Sequence, residues 1–184
     1  ILYQKNSSMV LAPASTTKLM TALVSLDIYS LSDSLLVPSK CLAVFGGNLN
    51  PLPQEKFLVS DLLNALLISS SNDSACILAN NAVSEEKFVQ LMNQKATKIG
   101  MVDTFFTNPM GFDSLDYSHK STAWDLYLLG LESRSNPLLR NIYSKTEHTF
   151  ISGLKPRTVF STNHLLSWLD GTVGMKTGTT NQAG

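Results

Sequence analysis

Three short polar motifs punctuate this chain in a fixed order: Ser15-Thr16-Thr17-Lys18, Ser70-Ser71-Asn72 and Lys176-Thr177-Gly178. Each alone is weak, because patterns as short as S-x-x-K arise often by accident, but their order and wide spacing are not. Around the first, Pro13 suits a helix entry, and Leu19, Ala22, Leu23 and Leu26 recur at helical spacing. Ser15 and Lys18 are therefore expected in one first turn. Residues three apart share a helix face, which brings the Lys18 amine within reach of the Ser15 hydroxyl. A serine hydroxyl attacks when a base takes its proton, and an ammonium cannot do so, so Lys18 must be neutral for part of such a cycle. Burial and a second cation both push a lysine that way, and Lys176 is the candidate cation. The alternative is plainer: Ser15 caps a helix and Lys18 is solvated.

The second motif follows Ser60-Asp61-Leu62-Leu63-Asn64-Ala65-Leu66-Leu67-Ile68, in which Ser60 reads as an N-cap and the leucines as the buried side of a short helix. The polar run Ser69 to Ser74 breaks this pattern before Ala75-Cys76-Ile77-Leu78-Ala79 resumes it. A turn between two buried helices suits the presentation of a hydroxyl and an amide to a cleft; it also reads as an ordinary capping turn. The third motif closes Gly171-Thr172-Val173-Gly174-Met175, whose glycines and β-branched residues suggest a strand that another backbone approaches closely. An extended Lys-Thr-Gly offers a cation, a hydroxyl and an unhindered edge, which suits a peptide ending in a carboxylate, though a bland surface strand reads the same way.

Taken together, S-x-x-K, S-x-N and K-T-G in this order resemble the active site of penicillin-recognising serine enzymes. The wider text, Pro13 to Ala22, Leu66 to Ala75, Asn108-Pro109-Met110-Gly111-Phe112 and Gly174 to Thr180, is similar to the low-molecular-mass D-alanyl-D-alanine carboxypeptidases over nearly the whole chain. That resemblance implies an α+β fold of the serine β-lactamase/DD-peptidase type, an antiparallel sheet flanked by helices with a mostly helical subdomain at roughly 42–160. It implies one catalytic domain over 1–184, expected to be incomplete, with an N-terminal strand, the closing strands and any membrane anchor lying outside the chain. It makes Ser15 the acylated nucleophile and Lys18 its proton acceptor. Ser70 would relay a proton to the leaving amine, and Asn72 would hold the substrate's peptide carbonyl and contact Lys18. Lys176 would anchor the terminal carboxylate and polarise Ser70, with Thr177, Gly178 and Thr179 binding substrate. The amides of Ser15 and Thr179 would form an oxyanion hole. The implied partners are peptidoglycan stem peptides ending in D-Ala-D-Ala and β-lactams as covalent inhibitors, met outside the cytoplasm, with no metal or cofactor.

Composition agrees with a globular domain: 184 residues, 43% hydrophobic, with 14 basic and 14 acidic side chains. A zero formal charge without a basic stripe gives nucleic-acid binding little support. Cys41 and Cys76 are too few and too distant in sequence for a disulfide framework or metal cluster and are expected as buried or incidental thiols. Ile1-Leu2-Tyr3-Gln4 reads as the tail of a strand.

Between the motifs the text is mostly helical. Ser84-Glu85-Glu86 opens a helix with Phe88, Leu91, Met92 and Ile99 on its apolar face and Gly100 at its end. Thr122-x-x-Asp125 resembles a capping box. Thr146 to Val159 alternates loosely around Gly153-Leu154-Lys155-Pro156, which fits a hairpin or an irregular loop. Two rival functions share the motifs: a β-lactamase, which needs an extra deacylating base, and a silent cell-wall-binding protein. Glu132-Ser133-Arg134-Ser135-Asn136 has the Glu-x-x-x-Asn spacing of a deacylation loop, but it directly follows an apolar helical run, so Glu132 is expected to be a solvated carboxylate at a helix end.

Overall fold

The computed structural model describes residues 3–153 and 155–183. Its centre is α1 (Thr17–Ile28), which is buried on every side over its first nine residues, Lys18 included. A helix can be enclosed in this way when others pack around it. Here α2 (Val59–Ile68), α3 (Asn72–Ala79), α4 (Glu85–Lys98) and α5 (Ala123–Ser135) all lie against it. Next to α2 and α5 lies α6 (Pro137–Tyr143), and a short α7 (Leu165–Trp168) precedes the last motif.

Among the described residues the strands form three antiparallel ribbons. β1 (Val10–Leu11) pairs with β4 (Ser121–Thr122), β2 (Ser34–Leu36) with β3 (Lys56–Leu58), and β5 (Glu147–Ser152) with β6 (Lys155–Phe160). The architecture is α+β with antiparallel pairing, as expected. The β1–β4 ribbon fixes the chain immediately before Ser15, because Val10 lies opposite Thr122, the residue that caps α5.

Several local expectations hold for the reasons that prompted them. Ser84 Oγ accepts from Lys87 N at 3.3 Å, and α4 ends before Gly100 at φ +84°. Thr122 Oγ1 accepts from Asp125 N at 3.1 Å. The Thr146–Val159 region is the β5–β6 hairpin, with Leu154 of its turn outside the described residues. Of the strand tail expected over Ile1-Leu2-Tyr3-Gln4, Ile1 and Leu2 lie outside the described residues, and Tyr3 and Gln4 belong to no strand.

Three expectations fail. Ser60 is not an N-cap: β3 runs straight into α2, and the amides of Val59 and Ser60 donate to Asp33 O and Leu31 O, so no side-chain cap is needed. Residues 172–180 form no strand and pair with none among the described residues. The predicted close approach is nevertheless present, since Gly174 at φ +89° lies so near the Tyr143 carbonyl that a Cβ would collide with it.

The cysteines are not free thiols but a disulfide, Cys41–Cys76, with Cα atoms 5.7 Å apart. The short 3₁₀ turn Ser39–Cys41 packs on α3, so a separation of 35 residues in sequence becomes contact in space.

Candidate active site

The chain enters α1 through a 3₁₀ turn, Ala14–Thr16, with Ala14 buried and held at φ +49°. A non-glycine residue in the left-handed region is sterically disfavoured and tends to occur where surrounding structure imposes it. Thr16 Oγ1 donates to Pro13 O at 2.5 Å and closes the turn. Ser15, half-buried, therefore sits at the mouth of the turn rather than inside the α-helix, and Lys18 sits one turn below it. Their spacing survives this shift: Lys18 Nζ lies 2.9 Å from Ser15 Oγ.

Lys18 has no exposed surface. Burial drives its pKa well below the ordinary lysine value, and the nearby Lys176 cation lowers it further. Its amine also donates to Met110 O at 2.5 Å, and Thr21, one turn on, donates its hydroxyl to Pro109 O at 2.6 Å. Behind this turn Thr17 Oγ1 meets His119 Nε2 at 2.9 Å, while His119 Nδ1 accepts from Thr107 N at 3.0 Å. An acceptor role for Nδ1 requires a neutral ring, and burial lowers the His119 pKa to about 4 against a small opposing pull from Asp113.

The second motif fills the turn between α2 and α3. Ser70 occupies the left-handed region at φ +62°, and Ser71 caps α3 by accepting from Ser74 N at 3.1 Å. Asn72 is the first residue of α3 and donates Nδ2 to Phe45 O at 2.8 Å. The loop that carries Phe45 is gripped twice more, by Asn48 Nδ2 on Ser69 O at 2.9 Å and by Asp73 Oδ2, which accepts from Leu49 N at 2.8 Å. The expected Asn72–Lys18 contact is not made; the contact of the Asn72 side chain is instead that of Nδ2 with this loop.

The third motif runs beside the Ala14–Thr16 turn, with Gly178 against Thr16 and Pro13. Lys176 is buried, and that burial lowers its pKa to about 8. Its amine donates to Thr177 O at 2.7 Å and makes no hydrogen bond to Ser70 in this structure. The Thr177 and Thr162 hydroxyls are 2.6 Å apart, and beyond Thr179 the segment is tied down by Thr180 Oγ1 donating to Asp113 Oδ1 at 2.7 Å.

Ser15, Ser70, Thr177, Gly178 and Thr179, drawn from all three motifs, line one open cleft of about 510 Å³ together with Thr162. Thr162 was not among the residues singled out in the sequence; an isolated threonine after a hairpin carries no pattern to find it by. The Met110 and Phe45 carbonyls escape for a different reason, since a backbone acceptor has no residue-type signature. Glu132 is exposed on α5 and does not line the cleft. A buried lysine with a lowered pKa beside a serine, with a second hydroxyl and a second lysine nearby, is an arrangement that suits serine acyl transfer.

The whole chain, residues 1–184, matches the D-alanyl-D-alanine carboxypeptidase family (peptidase S11), and the protein belongs to that family. It is 32% identical to the D-alanyl-D-alanine carboxypeptidase DacF of Bacillus subtilis over 100% of this chain, and it spans 48% of the length of that relative. Among solved structures it is similar to a penicillin-binding protein homologue of Mycobacterium tuberculosis, with a TM-score of 0.93, 30% identity, and coverage of 98% of this chain and 69% of the other. It is also similar to penicillin-binding protein D2 of Listeria monocytogenes in an ampicillin-bound form, with a TM-score of 0.85, 32% identity, and coverage of 100% and 75%.

Proposed function

We propose that this chain carries the catalytic machinery of a serine D-alanyl-D-alanine carboxypeptidase, which removes the terminal D-Ala from peptidoglycan stem peptides through an acyl-enzyme on Ser15. The observation that carries this reading is the 2.9 Å separation of Ser15 Oγ and Lys18 Nζ at a fully buried lysine. As Oγ bonds to the carbonyl carbon of the penultimate D-Ala, neutral Lys18 takes its proton. The oxyanion accepts from the Ser15 and Thr179 amides, donors of a kind worth about 3–4 kcal/mol each. The C–N bond then breaks, and the proton on Lys18 reaches the leaving amine through the Ser70 hydroxyl. D-Ala departs, and water attacks the remaining ester, restoring Ser15 and releasing the shortened peptide.

The Lys176 ammonium and the Thr177 hydroxyl bind the terminal carboxylate. Asn72, with one N–H on Phe45 O, keeps its second for the substrate's peptide carbonyl. A β-lactam presents an amide and a carboxylate to the same groups and acylates Ser15; the ampicillin-bound Listeria relative supports this. Action outside the cytoplasm is supported by the Cys41–Cys76 disulfide, a bond that persists in oxidising surroundings.

Incubation of the full-length protein with diacetyl-Lys-D-Ala-D-Ala tests the reading. Release of free D-alanine with slow penicillin hydrolysis is the expected result. Fast penicillin hydrolysis without D-alanine release would instead mark a β-lactamase, and neither turnover nor a penicillin adduct would mark a silent binder.

A further inference from the structure

The passage Asn108-Pro109-Met110-Gly111-Phe112 has no part in the chemistry above, yet it touches the base. Asn108 Oδ1 accepts from three successive amides, Met110 N at 3.1 Å, Gly111 N at 2.7 Å and Phe112 N at 3.0 Å, and its Nδ2 donates to Phe112 O at 3.0 Å. One side chain thus organises a whole turn, as asparagine does where its amide replaces backbone partners. The turn directs two carbonyls onto α1: Pro109 O accepts from Thr21, and Met110 O from Lys18. It also reaches the nucleophile turn. Gly111 stands at φ +86°, and a Cβ there would collide with the Ala14 carbonyl and lie 3.0 Å from Ser15 N.

We propose that Asn108 is a positioning residue for the general base, fixing the Met110 carbonyl on one Lys18 N–H so that the lone pair of the amine is aimed at Ser15. The inference rests on the Ser15–Lys18 reading and deepens it. A neutral amine has two N–H groups and one lone pair and turns freely about its last carbon bond. A 2.5 Å hydrogen bond to a rigid carbonyl removes that freedom, so that in the neutral amine the lone pair can face the Ser15 hydroxyl 2.9 Å away. A well-placed base is worth about 10²–10⁴-fold in rate, so an amine that wanders loses part of that factor. The charge facing Lys18 is Lys176; His119, behind Thr17, is neutral, and Asp113 is engaged by Thr180 and Gln182. A carboxylate at position 108 would therefore add a negative charge to the turn that holds the amine, where Asn108 has none.

The test uses the full-length protein, fluorescent penicillin and two variants, with melting followed in parallel. Asn108→Ala removes the acceptor and is expected to slow Ser15 acylation about 10-fold or more with unchanged non-covalent penicillin affinity, a split that a loss of fold does not produce. Asn108→Asp keeps an oxygen for the three amides, so the turn survives. Its negative charge makes Lys18 hold its proton more tightly, and the acid limb of the pH–rate profile is expected to move to higher pH. A folded variant of either kind with the wild-type rate and pH profile overturns the proposal. So does failure of both variants to fold, which would give Asn108 a purely structural role. A wild-type protein that is never labelled at Ser15 is a different result and overturns the functional reading itself.

Discussion

The Lys176 ammonium lowers the pKa of the buried Lys18 amine, adding to the larger effect of burial. Burial lowers the Lys176 pKa as well, to about 8, whereas Lys18 is lowered both by burial and by the Lys176 charge. With Lys18 neutral and Lys176 charged, the site would hold the base and the carboxylate anchor that the proposed mechanism uses.

Acylation is therefore expected to rise with pH as Lys18 deprotonates and to fall as pH passes through about 8, where Lys176 loses its charge. Lys176→Gln removes the neighbouring cation, so the Lys18 pKa rises and the acid limb moves to higher pH, while the limb near 8 disappears. Rates of acylation by penicillin across the pH range check both signs. An acid limb unmoved in Lys176→Gln would mean that the two amines do not sense each other.

His119 ties acid stability to the same helix. Its folded pKa of about 4 lies below the free value of 6.5, so the unfolded chain binds a proton first as pH falls. The stability it contributes is complete above pH 6.5 and is lost as pH drops towards 4, about 3 kcal/mol in all. Urea denaturation at neutral and acid pH should show a steeper loss in the wild type than in His119→Gln, which has no ring to protonate. Parallel slopes would refute the assignment.

The Cys41–Cys76 bond closes a loop of 35 residues, for which chain entropy predicts about 4 kcal/mol of stabilisation. The loop contains Phe45, and α3 begins at Asn72, so the bond joins the two sides of the Asn72–Phe45 hydrogen bond. The pair Cys41→Ser and Cys76→Ser should lower the melting temperature and weaken acylation together. Unchanged activity in the folded fraction would separate the disulfide from the site.

What was legible in the sequence was what local spacing dictates. Ser15 and Lys18 sit three apart on a helical entry, so their contact follows from geometry, and it survives even though Ser15 lies in a 3₁₀ turn. The caps at Ser84 and Thr122 and the β5–β6 hairpin are local for the same reason. Contacts made across the fold were not legible: the distance from Cys41 to Cys76 along the chain says nothing about their meeting. Ser60 misled because the amides it was expected to cap are taken by carbonyls of the 31–33 turn. Asn72 was expected to contact Lys18, but it opens α3 and its partner is a backbone carbonyl that no side-chain pattern announces.

The central claim is that Ser15 is the atom acylated and Lys18 the base that makes it so. Mass spectrometry of the full-length protein after brief exposure to penicillin tests it most directly, with wild type, Ser15→Ala and Lys18→Ala compared under identical conditions and melting curves confirming that each is folded. The account predicts one penicilloyl adduct on the peptide containing Ser15 in wild type, none in Ser15→Ala, and formation slowed about 100-fold or more in Lys18→Ala. An adduct on another residue, or full labelling in folded Ser15→Ala, would contradict it.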